Sequence, residues 1–226
     1  MSFYEQLRSA TEPDRADFLA IPFLTDGVAG RITREQYLAF LTQAYHHVKH
    51  TLPLLMACGA RLPERLEWLR AAVSEYIEEE TGHQEWILND IAACGADAER
   101  VRRGSPALAT ELMVAYAYDT VQRVNPVGFF GMVHVLEGTS VQLATRAAEN
   151  LRATLGLPNQ AFSYLLSHGS LDVSHVDFFR NLVDRLESDE DRAVIVRCAR
   201  AFYRLYGNVF RSLPHDADPA VRRRCA

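Results

Sequence analysis

The chain has 226 residues, of which 48% are hydrophobic and 23% are charged, and its formal net charge is −5 at pH 7. This length and composition predict one globular domain with a single core, and the acidic balance argues against nucleic acid as a partner. No apolar run reaches about 18 residues, and the first residues lack a basic, hydrophobic leader. We therefore predict a cytoplasmic protein that does not enter a membrane.

The four cysteines are far apart, and none of them forms the paired spacing of a thiolate metal site. A disulfide framework is equally unsupported, because such frameworks belong to small secreted chains. We interpret the cysteines as reduced packing residues. They are Cys58, Cys94, Cys198 and Cys225.

Helical periodicity runs along the whole chain, and no segment shows the alternation of a β-strand. A short N-terminal helix precedes a long one that begins at Thr33, where Thr33 and Gln36 have capping-box spacing, and ends near Cys58. The next predicted helix begins at Pro63, because proline is favoured in a first turn, and ends at Gly95.

The second half of the chain contains four further predicted helices. Three begin near prolines, and the last begins after Ser188, which has capping spacing to Asp191, and ends near Leu213. The pattern predicts an all-α bundle in one domain, residues 1–213, followed by a tail over 214–226 that we expect to be disordered. The three prolines are Pro106, Pro126 and Pro158.

Residues 167–179 read SHGSLDVSHVDFF and place His168, Asp172 and His175 at positions i, i+4 and i+7 of a helix. At about 100° per residue, the three side chains fall within roughly 60° of one another on an otherwise apolar stripe. Burying two imidazoles and a carboxylate in hydrocarbon is costly unless they are paired or bind a metal. The motif therefore indicates a buried polar cluster that needs a compensating partner.

Two other helices carry similar groups. In EEETGH, Glu80 and His83 are three residues apart and Glu79 and His83 are four apart, so either glutamate can share a face with the histidine. A surface or capping role is the alternative for so short a motif. Glu137 is the lone carboxylate in the apolar stretch FFGMVHVLEGTSVQLA, and its alternative role is that of a paired core glutamate.

Together the three helices supply three carboxylates and three imidazoles. Mixed nitrogen and oxygen ligation suits iron, manganese or zinc, and inward-facing carboxylates and histidines of helical bundles build di-iron sites. The predicted metal ligands are Glu80, His83, Glu137, His168, Asp172 and His175, with Glu79 as the alternative to Glu80.

These motifs resemble the haem-oxygenase-like di-iron oxidase family, whose fold is shared with haem oxygenases, TenA-type enzymes and a cofactorless oxidase of pyrroloquinoline quinone synthesis. The resemblance runs from about residue 33 to 213, and its most specific part is H-x3-D-x2-H, matched by His168, Asp172 and His175. It implies a haem-oxygenase-like bundle of about seven helices. It also implies that two ferrous ions and dioxygen oxidise a small organic substrate.

The first long helix departs from that pattern. Some family members place a further carboxylate there, whereas this chain has YHHVKH, with His46, His47 and His50. Because His47 and His50 are three residues apart, both could face the site as additional ligands. Polar surface histidines are the alternative interpretation.

Other functions remain as alternatives. A TenA-like hydrolase needs a cysteine nucleophile, which HVLEGTS lacks, and a haem protein needs an axial histidine, for which the YHHVKH cluster could serve. A non-enzymatic helical interaction protein would use the polar cluster only to fix its packing. We also expect a homodimer. A cofactorless oxidase would use cavity-lining tyrosines and histidines such as Tyr76, Tyr164, Tyr203 and His134.

Overall fold

The structure, a computed structural model, describes residues 1–215, except for the side chains of residues 140–142 and 168–175. All regular structure in this part of the chain is helical, which confirms the predicted all-α fold. Within residues 1–215, none of the helices combines the length and the hydropathy needed to cross a membrane. Most of the predicted tail, residues 216–226, lies outside the described residues. The α-helices are α1 (Phe3–Leu19), α2 (Pro22–Val28), α3 (Arg34–Val48), α4 (Thr51–Arg61), α5 (Glu67–Glu80), α6 (His83–Ala93), α7 (Ala98–Arg103), α8 (Leu108–Asp119), α9 (Phe129–Leu155), α10 (Ser163–Asp184) and α11 (Asp189–Arg211).

Two predicted helix starts are confirmed by their caps. At α3, the Thr33 hydroxyl accepts the Gln36 N–H, and the Gln36 side-chain oxygen accepts the Thr33 N–H at 2.7 Å. At α11, the Ser188 hydroxyl accepts the Asp191 N–H at 3.3 Å. Each cap satisfies backbone donors that the first helical turn leaves unpaired.

The long helix predicted from Thr33 to Cys58 is wrong in its continuity, because α3 ends at Val48 and α4 begins at Thr51. Pro53 supplies the physical reason: it has no N–H to donate to the Lys49 carbonyl, and its ring crowds that carbonyl. The chain instead closes a tighter turn, in which the His50 N–H donates to His47 O at 3.0 Å.

The helix predicted from Pro63 to Gly95 is also wrong in its continuity. It contains a 3₁₀ turn at Glu64–Leu66, then α5 and α6, with a break between Glu80 and His83. Gly82 has a φ of +95°, in the left-handed region that glycine adopts without a Cβ penalty. Glu80 and His83 therefore lie on opposite sides of a bend.

Helix α9 is the central element of the fold, since it packs against α10 and α11, and α11 packs in turn against α1 and α8. A Cβ at Gly131 of α9 would lie 2.7 Å from both Ala199 N and Ile195 O of α11. Real side chains do not reach such distances, so the close approach of α9 and α11 depends on this glycine. Phe130 of α9 and Phe202 of α11 are fully buried in the core.

Candidate functional site

A cavity of about 90 Å³ lies among α3, α4, α5 and α9. Its polar lining includes His47, Tyr76, Glu80 and Glu137, and we call it the carboxylate cavity. A water molecule needs roughly 10–15 Å³ of such volume, so the cavity has room for several small polar groups or ions. Its apolar walls include Phe129, Met132, Tyr164 and Tyr206.

Glu80, in the last turn of α5, meets His83 across the bend. The distance from Glu80 Oε2 to His83 Nδ1 is 3.0 Å, and the two side chains are 15% and 3% exposed. Glu79 is exposed and does not line the cavity. Of the two candidate glutamates, Glu80 is therefore the one that lines the cavity and contacts the histidine.

Tyr76 lies one helical turn before Glu80 and is buried. Among the described residues its hydroxyl has no hydrogen-bond partner. Burial raises the pKa of the phenol well above its ordinary value of 10.0, and the charges of Glu137, Glu79 and Glu80 raise that pKa further. Tyr76 is therefore protonated and offers an O–H donor beside two carboxylates.

Glu137 lies in the middle of α9, half-buried, and lines the same cavity. Phe129 and Met132, which precede it on α9, line the cavity as well. Two helices that are distant in sequence thus contribute one glutamate each to a single, largely apolar cavity.

The three histidines of YHHVKH have different surroundings. His47 is buried and lines the carboxylate cavity. His50 does not line it, and its Nδ1 lies 3.1 Å from the Tyr118 hydroxyl. His46 is buried with its Nδ1 3.4 Å from Lys49 Nζ. The interpretation of the group as surface histidines is wrong for His46 and His47.

The remaining predicted ligands lie on α10. The side chains of His168, Asp172 and His175 are outside the described residues, although α10 packs against α9, which carries Glu137. Within the described part of the chain, no three histidine, cysteine, aspartate or glutamate side chains are grouped to hold a metal ion. The ligand set of six residues therefore stays a prediction.

The described cysteines are free and buried, as expected of packing residues. Cys58 Sγ donates to Pro126 O at 3.3 Å, and burial raises the pKa of its thiol to about 12. Cys58, Cys94 and Cys198 do not line the carboxylate cavity. All three pack in the core, away from the lining of this cavity.

A second cavity, of about 250 Å³, lies among α1, α9, α10 and α11. We call it the arginine cavity, because Arg8 and Arg15 of α1 line it with Tyr4, His134 and Tyr203. The sequence suggested His134 and Tyr203 as cavity residues but gave no sign of their arginine neighbours. The sequence indicated only that α1 has a polar face, and such a face is equally typical of a solvent-exposed surface.

His134 is neutral at pH 7. Its Nε2 lies 3.3 Å from Thr11 Oγ1, and the Thr11 hydroxyl donates to Leu7 O at 2.9 Å. Burial, followed by the charges of Arg8 and Arg15, lowers the pKa of His134 to about 4. Because the Thr11 proton is already used, His134 Nε2 is the donor in its contact with Thr11.

Comparison with known sequences gives a family and a relative. A sequence model of the family described as "Iron-containing redox enzyme" matches residues 38–207. The chain is 25% identical over 215 residues to a 4-aminobenzoate synthase of Chlamydia muridarum, covering 92% of this chain and 88% of that protein.

Comparison with solved structures gives the same fold. A domain of unknown function from Shewanella denitrificans, with a heme oxygenase-like fold, has a TM-score of 0.80 and 22% identity, covering 93% of this chain and 91% of that one. A TenA homologue from Pseudomonas syringae has a TM-score of 0.79 and 12% identity over 92% and 91% of the two chains. Heme oxygenase-1 from the cyanobacterium Synechocystis, in complex with heme, has a TM-score of 0.76 and 11% identity over 100% and 98%. The haem-oxygenase-like bundle that the motifs implied is confirmed.

Proposed function

This chain belongs to the family of iron-containing redox enzymes, and we propose that it is a non-haem di-iron enzyme that uses dioxygen to oxidise a small organic substrate. One observation carries the proposal. Helices α5 and α9 each contribute a glutamate to a buried cavity, beside a protonated tyrosine whose hydroxyl has no partner among the described residues.

The donor chemistry fits two iron ions. Glu80, Glu137 and His83 would be ligands from α5, α9 and α6, and the motif on α10 would complete a set of three carboxylates and three imidazoles. Such oxygen and nitrogen ligation suits iron, and also manganese or zinc. The Tyr76 hydroxyl fits as well, since buried donors are normally paired and this one faces the cavity. The ligands on α10 would be His168, Asp172 and His175.

The protein's own residues would orient and shield this chemistry. When bound, two ferrous ions would supply electrons and open positions for dioxygen. Because Glu80 Oε2 lies 3.0 Å from His83 Nδ1, these two side chains would be close enough to share one ion. Phe129, Met132 and Tyr164 exclude water from the cavity and offer an apolar surface to the substrate. We propose His47, the nearest histidine of α3 to the cavity lining, as a further ligand or ligand partner.

Two alternatives fit the geometry less well. A haem iron takes an axial histidine and would leave Glu80 and Glu137 of the carboxylate cavity without a role. A TenA-type hydrolase needs a cysteine nucleophile, and the described cysteines lie away from the cavity lining. The relative named 4-aminobenzoate synthase forms a small aromatic compound. We propose a substrate of similar size here.

The test is iron loading under anaerobic conditions, followed by metal analysis and oxygen uptake. We expect close to two ferrous ions per chain and oxygen consumption by the loaded protein. Glu137→Gln should lose at least one ion and lower oxygen uptake by more than about 100-fold while the fold is retained, since even partners of metal ligands contribute 10–100-fold. Glu149→Gln, an exposed position on the same helix, is the matched control and should behave as wild type.

Three results would reject the proposal. One is the absence of stoichiometric metal after anaerobic loading, which would favour a cofactorless oxidase or a structural polar cluster. Another is a haem spectrum on addition of haemin, with weakening of iron binding. The third is unchanged iron content in Glu137→Gln.

A further inference from the structure

The arginine cavity contains an arginine, Arg8, that has no carboxylate partner among the described residues. Two carboxylates, Glu12 and Asp177, lie in the lining, and each has an arginine partner. Arg15 lies 3.2 Å from Glu12, and Arg180 lies 2.7 Å from Asp177. Among the described residues, no carboxylate is within ion-pair distance of Arg8. Within the described residues, Arg8 is therefore free to pair with an anion that enters the cavity.

Hydrogen-bond donors face the same space. In the part of the chain that the structure describes, the hydroxyls of Tyr4 and Tyr203 have no hydrogen-bond partner. Both tyrosines line the cavity, and the charges of Arg15, Arg8 and Tyr4 all act on the Tyr203 phenol, so these groups converge on one region. Burial raises the pKa of Tyr203 to about 12, which keeps its hydroxyl protonated. Arginine and tyrosine donors together are the groups that recognise a carboxylate.

Part of the remaining wall is aromatic. The His134 ring lies 6.3 Å from the Tyr203 ring at 90° and 6.4 Å from the Tyr4 ring at 82°, centroid to centroid. This surface suits a planar apolar group. The volume of about 250 Å³ exceeds the roughly 150 Å³ of a cavity that holds benzene, so one ring with an acid group has room.

From these features we infer that the arginine cavity is a binding site for a small aromatic carboxylate, with Arg8 and the Tyr4 and Tyr203 hydroxyls at the acid group and the His134 face along the ring. The lining residues of this cavity do not coincide with those of the carboxylate cavity. Binding there uses protein donors only. The inference therefore does not rest on the proposed iron chemistry.

The experiment titrates benzoate into the full-length protein by calorimetry, once as purified and once after iron loading. We expect one saturable site with the same affinity in both preparations. Benzamide, the neutral isostere, should bind about tenfold more weakly, because it lacks the charge that Arg8 recognises. Acetate and phosphate should also bind more weakly than benzoate, because they leave the aromatic wall uncovered.

Variants locate the site. Arg8→Gln should weaken benzoate binding about tenfold, and Tyr203→Phe, which removes one hydroxyl and keeps the ring, should weaken it several-fold. Arg103→Gln is the matched control, since Arg103 lies on α7 with its side chain 81% exposed, and it should bind as wild type. Arg8 is itself exposed, so the fold is expected to persist, and circular dichroism checks this.

The inference is overturned if benzoate fails to bind, or if Arg8→Gln and Arg103→Gln change its affinity equally. If benzoate binds only after iron loading, with an affinity that Arg8→Gln does not change, then its acid group binds the metal instead. That result would not contradict the proposed oxidase function. Equal affinities for acetate, phosphate and benzoate would overturn the aromatic part of the assignment.

Discussion

The carboxylate cavity and the arginine cavity lie on different faces of α9 and differ in the charged groups that line them. The first contains Glu80 and Glu137 beside a neutral phenol, and the second contains Arg8 and Arg15, together with Glu12 and Asp177, beside a neutral imidazole. Burial acts in both, since it raises the pKa of Tyr76 and lowers that of His134, so each group is held in its neutral form. One helix thus separates a cavity whose charged groups are carboxylates from a cavity that also offers arginine donors.

The packing of α9 against α11 depends on Gly131. Substitution of this glycine therefore tests how closely the two helices approach each other. Gly131→Ala would place a Cβ 2.7 Å from two backbone atoms of α11 that cannot move independently. We expect a loss of about 3 kcal/mol in the free energy of unfolding, at the upper end of overpacking costs. Urea unfolding measures it.

Gly138→Ala on the same helix is the matched control. No described atom lies within 4 Å of a Cβ at Gly138, so alanine should stabilise the helix by up to about 1 kcal/mol. Equal effects of the two substitutions would contradict the argument that α9 and α11 approach each other closely at Gly131.

The features that could be predicted from sequence are local ones. The caps at Thr33 and Ser188 and the apolar surroundings of Glu137 depend on residues within one or two turns. The breaks at Pro53 and Gly82 were missed because proline is tolerated in a first turn and a single glycine within a helix is ambiguous. Only the backbone geometry resolves such cases.

The arginine cavity could not be predicted for a different reason. Arg8 and Tyr203 belong to the first and last helices, and helical periodicity carries no information about which distant faces meet. The carboxylate cavity was partly predictable because an isolated buried glutamate needs a partner wherever it lies. An exposed arginine such as Arg8 is hydrated and needs no protein partner, so its position in the sequence predicts nothing about its neighbours.

A pH titration tests the neutral state of His134 in the arginine cavity. Arg8 and Arg15 of α1, Tyr203 of α11 and Asp177 of α10 line that cavity with it. In the unfolded chain the imidazole takes up a proton as the pH falls through 6.5, whereas the folded imidazole does so only near pH 4. The unfolded state therefore binds more protons in that window, and the free energy of unfolding falls as the pH is lowered from 6.5 to 4.

Between pH 7 and pH 5 this contribution should amount to about 2 kcal/mol. His134→Gln keeps a polar side chain but has no titrating group at this position. Over the same pH range, the free energy of unfolding of this variant should therefore fall by about 2 kcal/mol less than that of the wild type. Parallel pH profiles of the two proteins, measured by urea unfolding, would show that folding does not lower the pKa of His134.

Tyr76→Phe is the finest test, because it removes a single oxygen atom from the carboxylate cavity. Deleting a buried hydroxyl that lacks a protein partner costs no protein hydrogen bond, so we expect the free energy of unfolding to change by less than about 1 kcal/mol. Oxygen uptake by the iron-loaded protein should nevertheless fall about tenfold, since the variant loses its donor beside Glu80 and Glu137.

Tyr37→Phe is the control, because the Tyr37 hydroxyl donates to Ala161 O at 2.8 Å and lies outside the carboxylate cavity. That variant should lose about 1 kcal/mol of stability and keep full oxygen uptake. If both substitutions cost stability and neither lowers oxygen uptake, the Tyr76 hydroxyl has a structural partner, and the difference between the two cavities is one of packing rather than chemistry.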